Sequence, residues 1–260
     1  MACISVQGLT ASYSKSKILD NIDLEFIQKK VTAIVGPNGS GKSTLLKAIA
    51  GSMKPDQGIV HINGQNMHSL KKKELAKILA FLPQSPETPK DITIEQLVSY
   101  GRYSHQNLFK NTKFEDKKII DWALQATDLI QLSQSSMSEL SGGQRQRAWI
   151  AMALAQNSDC LFLDEVTTYL DIRHQIEILN LLKSLNQEKS KTIIMVLHDI
   201  NHALHYSDYI VVVKNGKIFA HDCIESIVEN KVLENVFKVK FKVLYDENKK
   251  PFIVSNELIN

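Results

Sequence analysis

Residues 31–50 have the sequence VTAIVGPNGSGKSTLLKAIA. The apolar run Val31–Val35 predicts a buried strand, and the apolar spacing in Lys42–Ala50 predicts a helix that stops at Gly51. The turn between them matches G-x-x-x-x-G-K-[ST] at every defined position. Glycines let the backbone wrap closely around an anion, and the helix start adds a positive dipole end. A chance glycine turn is the alternative, but the strand before it and the helix after it favour a phosphate-binding loop.

This loop predicts contacts to a nucleotide. Lys42 is expected to bridge the β- and γ-phosphates, and the Ser43 hydroxyl is expected to ligate Mg²⁺. The loop residues predicted to contact ATP are Gly36, Pro37, Asn38, Gly39, Ser40, Gly41, Lys42, Ser43 and Thr44.

A second site, which is acidic, follows the apolar run Cys160–Leu163. A buried parallel strand that ends in Asp164 places a carboxylate at the edge of the sheet where ligands bind in open α/β folds. Asp164 is expected to hold Mg²⁺, and Glu165 to orient and deprotonate the attacking water. Alone, such a string is more often an ordinary strand end followed by a solvated acid. Together with the phosphate loop it predicts ATP hydrolysis.

The remaining pattern predicts an α/β core in two halves, residues 1–84 and 159–260, with a helical insertion at 85–158. Ile18–Ile27 alternates like a half-buried strand, and residues 93–157 are mostly helical in spacing. Ile172–Leu185 predicts another helix and Thr192–Leu197 another buried strand. A hairpin is expected around the Asn215-Gly216 turn.

Composition narrows the class of protein. A net charge of +3 is only mildly basic, whereas a dedicated nucleic-acid binder usually shows a stronger or more clustered bias, so no nucleic-acid partner is expected. Cys3, Cys160 and Cys223 lack metal or redox spacing and are expected to be free thiols in a reducing compartment. The start of the chain lacks a signal-peptide pattern, and no apolar run approaches the ~18 residues of a membrane span.

A third motif, Leu140-Ser141-Gly142-Gly143-Gln144, precedes a helical stretch. The Ser141 hydroxyl and the N–H groups of Gly142 and Gly143 would then lie at a helix start and offer a second anion site. The alternative is a capped helix start with a flexible glycine pair.

With these motifs in order, the chain resembles the ATP-binding cassette (ABC) family, whose signature segment is LSGGQ. The resemblance covers nearly the whole chain and implies roles for further residues. Tyr13 would stack on adenine, Gln84 would contact the metal or the water, and His198 would donate to the γ-phosphate. Asp171 matches the segment that crosses the dimer interface. Without the motif order, all four would be ordinary structural residues: a strand tyrosine, a loop glutamine, a strand-end histidine and a helix cap.

The resemblance implies a P-loop NTPase (RecA-like) core with an N-terminal antiparallel β subdomain and an inserted α-helical subdomain. It also implies a head-to-tail homodimer that needs ATP and Mg²⁺. In such a dimer Ser141, Gly142, Gly143, Gln144 and Asp171 contact the ATP of the other copy. The expected partners are integral membrane permease subunits and, indirectly, a secreted or periplasmic substrate-binding protein. The expected location is peripheral, on the cytoplasmic face of the cell membrane.

A subfamily is also indicated. Val98–Gln106 resembles a V-x-x-G-R-x-P-H-Q stretch of iron-chelate, haem and vitamin B12 importers, with Ser104 in place of proline. Leu163–Leu179 is similar to ferric-siderophore importers, so import of an iron-siderophore-type chelate is the preferred interpretation. The alternative for Arg102–Gln106 is a polar helix end. Two other classes stay open: an iron–sulfur assembly ATPase, and a nucleotide-gated module with negligible turnover. One departure from the family is Val166, where proline is usual.

Overall fold

The structure is a computed structural model that describes residues 2–14, 16–87, 91–105, 113–168 and 170–259. It divides into two compact units, of which the first comprises Met1–Leu70 with Ser190–Asn260 and the second Lys71–Lys189. The first unit is therefore built from two separate segments of the chain, and the second from the segment between them.

The elements follow one another along these three segments. The first segment contains β1 (Ala2–Tyr13), β2 (Ser16–Ile27), β3 (Val31–Val35), α1 (Lys42–Ile49), β4 (Gln57–Ile62) and β5 (Gln65–Asn66). The second contains α2 (Lys72–Ile78), β6 (Leu79–Leu82), α3 (Ile94–Tyr100), α4 (Lys113–Ala126), α5 (Gly142–Ala155), β7 (Cys160–Asp164) and α6 (Ile172–Lys189). The third contains β8 (Thr192–Val196), α7 (Ile200–Tyr206), β9 (Tyr209–Lys214), β10 (Lys217–Cys223), α8 (Ile224–Glu229), α9 (Val232–Phe237), β11 (Val239–Tyr245) and β12 (Pro251–Leu258).

The first unit contains two main sheets. One is antiparallel with strand order β2-β1-β4-β5. In the other, β3 pairs in parallel with β8 and with β9, and β10 runs antiparallel to β9. Every residue of β3 and β8 is buried, as expected for parallel strands that are covered on both faces. A separate hairpin of β11 and β12 follows near the end of the chain.

The second unit pairs β6 with β7 in parallel and carries the helices of the expected insertion. The buried Arg102 joins two of these helices, because its Nε donates to Asp116 in α4 at 2.8 Å and its guanidinium donates to the Ala155 carbonyl in α5 at 2.9 Å. Arg102 is thus a buried structural residue rather than part of a polar helix end. Gln106, which ends the same sequence stretch, lies outside the described residues.

The α/β class, the antiparallel N-terminal sheet and the inserted helices are confirmed. The segment 85–158 expected as the insertion lies inside the second unit, which also includes residues 71–84 and 159–189. Within the described residues, no helix is both long and apolar enough to cross a bilayer. No disulfide joins Cys3, Cys160 and Cys223, all of which belong to the described residues.

Candidate functional site

The phosphate loop follows β3 in the first unit, and packing fixes its path. Gly36 has φ 154°, and a Cβ there would lie 2.1 Å from the Val213 carbonyl oxygen. Gly41 has φ 104°, and its Cβ would lie 2.9 Å from Cδ2 of Leu19. Gly36 therefore requires glycine because the backbone of β9 leaves no room for a side chain, whereas Gly41 is favoured by its positive φ.

Lys42 begins α1 and is only 6% exposed. Its ammonium group donates to the carbonyl oxygens of Gly36 and Pro37, each at 3.0 Å. The Ser40 hydroxyl is buried in the same loop and has no hydrogen-bond partner among the described residues. A buried polar group without a protein partner requires an explanation. A bound phosphate oxygen would accept from this hydroxyl, while the ammonium provides the charge that attracts the anion.

The acidic pair lies in the second unit at the end of β7. Asp164 is fully buried and Glu165 is 7% exposed. Glu165 has φ 54°, which is uncommon for a residue other than glycine and costs about 1–3 kcal/mol. Its carbonyl accepts from the Thr168 N–H at 3.1 Å, which holds the turn. Such strain concentrates at functional sites, where the surrounding structure enforces it.

Gln84 and Glu165 are brought together, since the Gln84 side-chain amide donates directly to the Glu165 carboxylate. The sequence motifs predicted a role for each residue but not this contact. It gives the Glu165 carboxylate a defined orientation.

Val166 is fully buried after Glu165, and its carbonyl accepts from the buried Gln146 amide in α5 at 3.3 Å. Packing and this hydrogen bond therefore hold the turn that proline stiffens elsewhere in the family. Gln146 was not predicted. The only signal for it in the sequence is its place on the helix that the signature segment opens.

The signature segment forms the start of α5. The Ser141 hydroxyl accepts from the Gln144 N–H at 3.2 Å, and the Gln144 side chain accepts from the Ser141 N–H at 2.9 Å. This reciprocal cap is the capped helix start that the motif also predicts as its alternative structure. It leaves Ser141 and Gly142 exposed, so an anion role on a second copy stays a prediction.

Asp171 also caps a helix, as its carboxylate accepts from the His174 N–H at 2.9 Å in α6. This hydrogen bond, together with the attraction of His174 and Arg173, holds the pKa of Asp171 below its usual range. The structure thus confirms the capping role, and the dimer role stays a prediction.

Tyr13 and His198 both lie in the first unit with the phosphate loop. Tyr13 ends β1 and is 49% exposed, so its ring is available to a planar base. His198 follows β8 and is exposed. Gln84, Asp164, Glu165, the signature segment and Asp171 all belong to the second unit.

The donors predicted for Mg²⁺ fit that ion. A hydroxyl from Ser43, an amide oxygen from Gln84 and a carboxylate from Asp164 are hard oxygen ligands. No group of three or more His, Cys, Asp or Glu residues that could cage a metal occurs in the described part of the chain.

Comparison with known proteins supports the family that the motifs indicate. The sequence model of the ABC transporter family matches residues 19–168. The iron(3+)-hydroxamate import ATP-binding protein of Bacillus subtilis is 41% identical over 260 residues, which is 100% of this chain and 97% of that protein. The ferric enterobactin transport ATP-binding protein of Escherichia coli is 42% identical over 92% of this chain and 89% of its own length.

Two solved structures are also similar. A metal-chelate type ABC transporter in an inward-facing conformation superposes with a TM-score of 0.81 at 25% identity, covering 99% of this chain and 98% of that one. A dimeric ATP-binding cassette in a post-hydrolysis state with ADP and Pi gives a TM-score of 0.77 at 29% identity, covering 85% and 98%. The chain belongs to the ABC transporter family, as one of its ATP-hydrolysing cassettes.

Proposed function

We propose that this chain powers the import of an iron-siderophore-type metal chelate through a separate membrane permease. The observation that carries the proposal is similarity along the whole chain to the import ATP-binding protein for iron(3+)-hydroxamate. Two further relatives are transport ATP-binding proteins for ferric enterobactin and for achromobactin. An iron–sulfur assembly ATPase is not favoured, because these relatives are transport subunits.

ATP binding begins at the phosphate loop. Backbone N–H groups of Gly36–Thr44 would contact the phosphates, and the Lys42 ammonium would leave its carbonyl partners for the β- and γ-phosphate oxygens. The exposed ring of Tyr13 would stack on adenine. Ser43, Gln84 and Asp164 would hold Mg²⁺, which when bound neutralises charge on the phosphates.

Hydrolysis would then depend on Glu165. Its carboxylate, oriented by the Gln84 amide, accepts a proton from the water that attacks the γ-phosphate. His198 donates to an oxygen of that phosphate. The bond to the β-phosphate breaks and leaves ADP and inorganic phosphate.

One similar cassette was solved as a dimer with ADP and Pi, and another similar structure is of a metal-chelate type ABC transporter. We infer that Ser141–Gln144 and Asp171 of one copy contact the ATP held by the other. The cassette would lie at the cytoplasmic face of the membrane. The exposed side chains of Tyr100 and Tyr103 support permease docking by the second unit, since 55% and 75% of their surfaces are uncovered. A substrate-binding protein would deliver the chelate from outside.

The experiment combines capture with transport. The tagged full-length chain is purified from detergent-solubilised membranes, and co-purifying proteins are identified by mass spectrometry. We expect a multi-span permease among the co-purifying proteins. In the transport measurement we expect uptake of radioactive ferric hydroxamate, and we expect the Lys42→Ala variant to lose this uptake. Recovery only from the soluble fraction, with iron–sulfur assembly proteins and no permease, would overturn the import function.

A further inference from the structure

His198 lies between two fixed elements of the first unit. Before it, the Leu197 N–H donates to the Ile34 carbonyl at 3.2 Å and continues the sheet. After it, the Asp199 carboxylate caps α7 by accepting from the His202 N–H at 2.8 Å. Because the helix begins two residues after His198, the place of α7 determines where the imidazole can reach.

Strand β12 holds the start of α7 through one side chain. The Asn201 amide donates to the Ile253 carbonyl at 3.1 Å, and its oxygen accepts from the Ile253 N–H at 2.8 Å. Both polar groups of one backbone residue are therefore satisfied by one amide. This paired geometry restrains α7 against rotation and sliding along β12.

The same hairpin also holds the end of α7. The Lys250 ammonium donates to the His205 carbonyl at 2.6 Å. The His205 ring lies 3.8 Å from the Asp246 carboxylate, which itself accepts from the Lys250 N–H at 2.8 Å. The β11–β12 hairpin therefore contacts α7 at both of its ends.

We infer that Asn201 is a positioning residue for ATP hydrolysis. By fixing α7 to β12 it sets the approach of His198 to the γ-phosphate. This inference rests on the proposed function, in which His198 donates to that phosphate. The C-terminal hairpin thereby becomes part of the hydrolytic machinery.

Steady-state kinetics of the purified full chain test the role. Asn201→Ala removes both hydrogen bonds and is expected to lower kcat about five- to tenfold. The KM for ATP should change less than about twofold, because the phosphate loop is intact. Asn230→Ala is the matched control, since that exposed side chain donates to the Ser226 hydroxyl of α8 at 3.2 Å. If Asn201→Ala does not fold, Asn201→Asp removes the donor alone: its carboxylate still accepts from the Ile253 N–H but faces the Ile253 carbonyl, and kcat should again fall.

A double-mutant cycle separates positioning from general destabilisation. In a His198→Ala background, Asn201→Ala should cause no further fall in kcat, because the residue it positions is gone. An equal fall in both backgrounds would mean that Asn201 acts only through the fold, and the inference would be wrong.

A second readout needs no hydrolysis. In the full chain with ¹³C-labelled histidine, the His198 ring signal is identified by its loss in His198→Ala. It should shift or broaden in Asn201→Ala and stay in place in Asn230→Ala. An unmoved His198 signal overturns the inference. In contrast, a wild-type chain without ATPase activity, or an undiminished kcat in His198→Ala, contradicts the proposed function instead.

Discussion

At the scale of single residues, Glu165 is held in an uncommon conformation. Its left-handed backbone and its contact from Gln84 both restrict where the carboxylate can lie. The cost of that conformation is met by the buried turn that follows, in which Val166 replaces the family's proline. The carboxylate is thus preorganised before any substrate is bound.

Glu165→Gln should abolish most ATP turnover while ATP binding is retained. A glutamine oxygen can still accept from Gln84, so the geometry survives, but the general base is lost. A fall of roughly 10²–10⁴-fold in kcat is expected from steady-state phosphate release. The exposed Glu188→Gln, in the same unit, should hydrolyse ATP like the wild type. Turnover of Glu165→Gln close to that of this control would refute the assignment of the base.

His221 makes stability depend on pH. Burial lowers its pKa, although the nearby carboxylates of Asp222 and Glu25 act in the opposite direction. Between the unfolded and the lower folded pKa, the unfolded chain binds more protons, so stability falls as pH drops through this window below about 6.5. Thermal unfolding at several pH values should show a smaller acid-induced loss of Tm in His221→Gln. An identical loss in both proteins would contradict this origin.

At the scale of elements, prediction from sequence succeeded where local chemistry decides the structure. The phosphate loop could be predicted because its glycines adopt positive φ, and at Gly36 the Val213 backbone also excludes a side chain, which leaves a spacing that is visible in the sequence. The short β6 was missed, since its four residues gain their identity from pairing with β7, 81 residues later at the first pair. The contact of Gln84 with Glu165 likewise joins residues 81 positions apart. No local pattern encodes such pairings.

Gly36→Ala should destabilise the loop between β3 and α1. A new Cβ would meet the Val213 carbonyl at 2.1 Å, so the backbone must shift, at a cost of about 1–3 kcal/mol or more. Gly64→Ala is the control, because that turn also has positive φ but nothing within 4 Å. Chemical denaturation without nucleotide should show the larger loss for Gly36→Ala. Equal losses would show that backbone strain alone matters.

Arg102→Met should strongly destabilise the helical part of the second unit. It leaves the buried Asp116 carboxylate without its cation, which costs about 3–5 kcal/mol. The double variant Arg102→Met/Asp116→Leu should recover much of this loss, because no buried charge remains. Urea unfolding monitored by circular dichroism measures both. A double variant as unstable as the single one would contradict the cause.

At the scale of the whole molecule, we propose that a second copy completes the ATP site. A substitution of Gly142 can test the role of the second copy without disturbing the fold, because a Cβ at this position would meet nothing within 4 Å. A carboxylate at this helix start also favours α5, yet it would repel the phosphates of a nucleotide held by the partner.

Gly142→Asp should therefore block ATP-dependent dimerisation. In size-exclusion chromatography with MgATP, Glu165→Gln should elute as a dimer and Glu165→Gln/Gly142→Asp as a monomer. The Tm of the two proteins without nucleotide should agree within about 2 °C, since ~0.5 kcal/mol is usual for harmless surface changes. A dimer that persists in the double variant would contradict a role of the signature segment in trans.

The position of β3 between β8 and β9 also has a consequence for synthesis of the chain. The strand emerges from the ribosome early, but its partners end about 180 residues later, so it waits roughly 10–35 s at 5–20 residues per second. During this interval Val31–Val35 is an apolar strand without its neighbours, the kind of segment that aggregates or binds chaperones. The phosphate loop attached to it can therefore form its final shape only after the third segment has been translated.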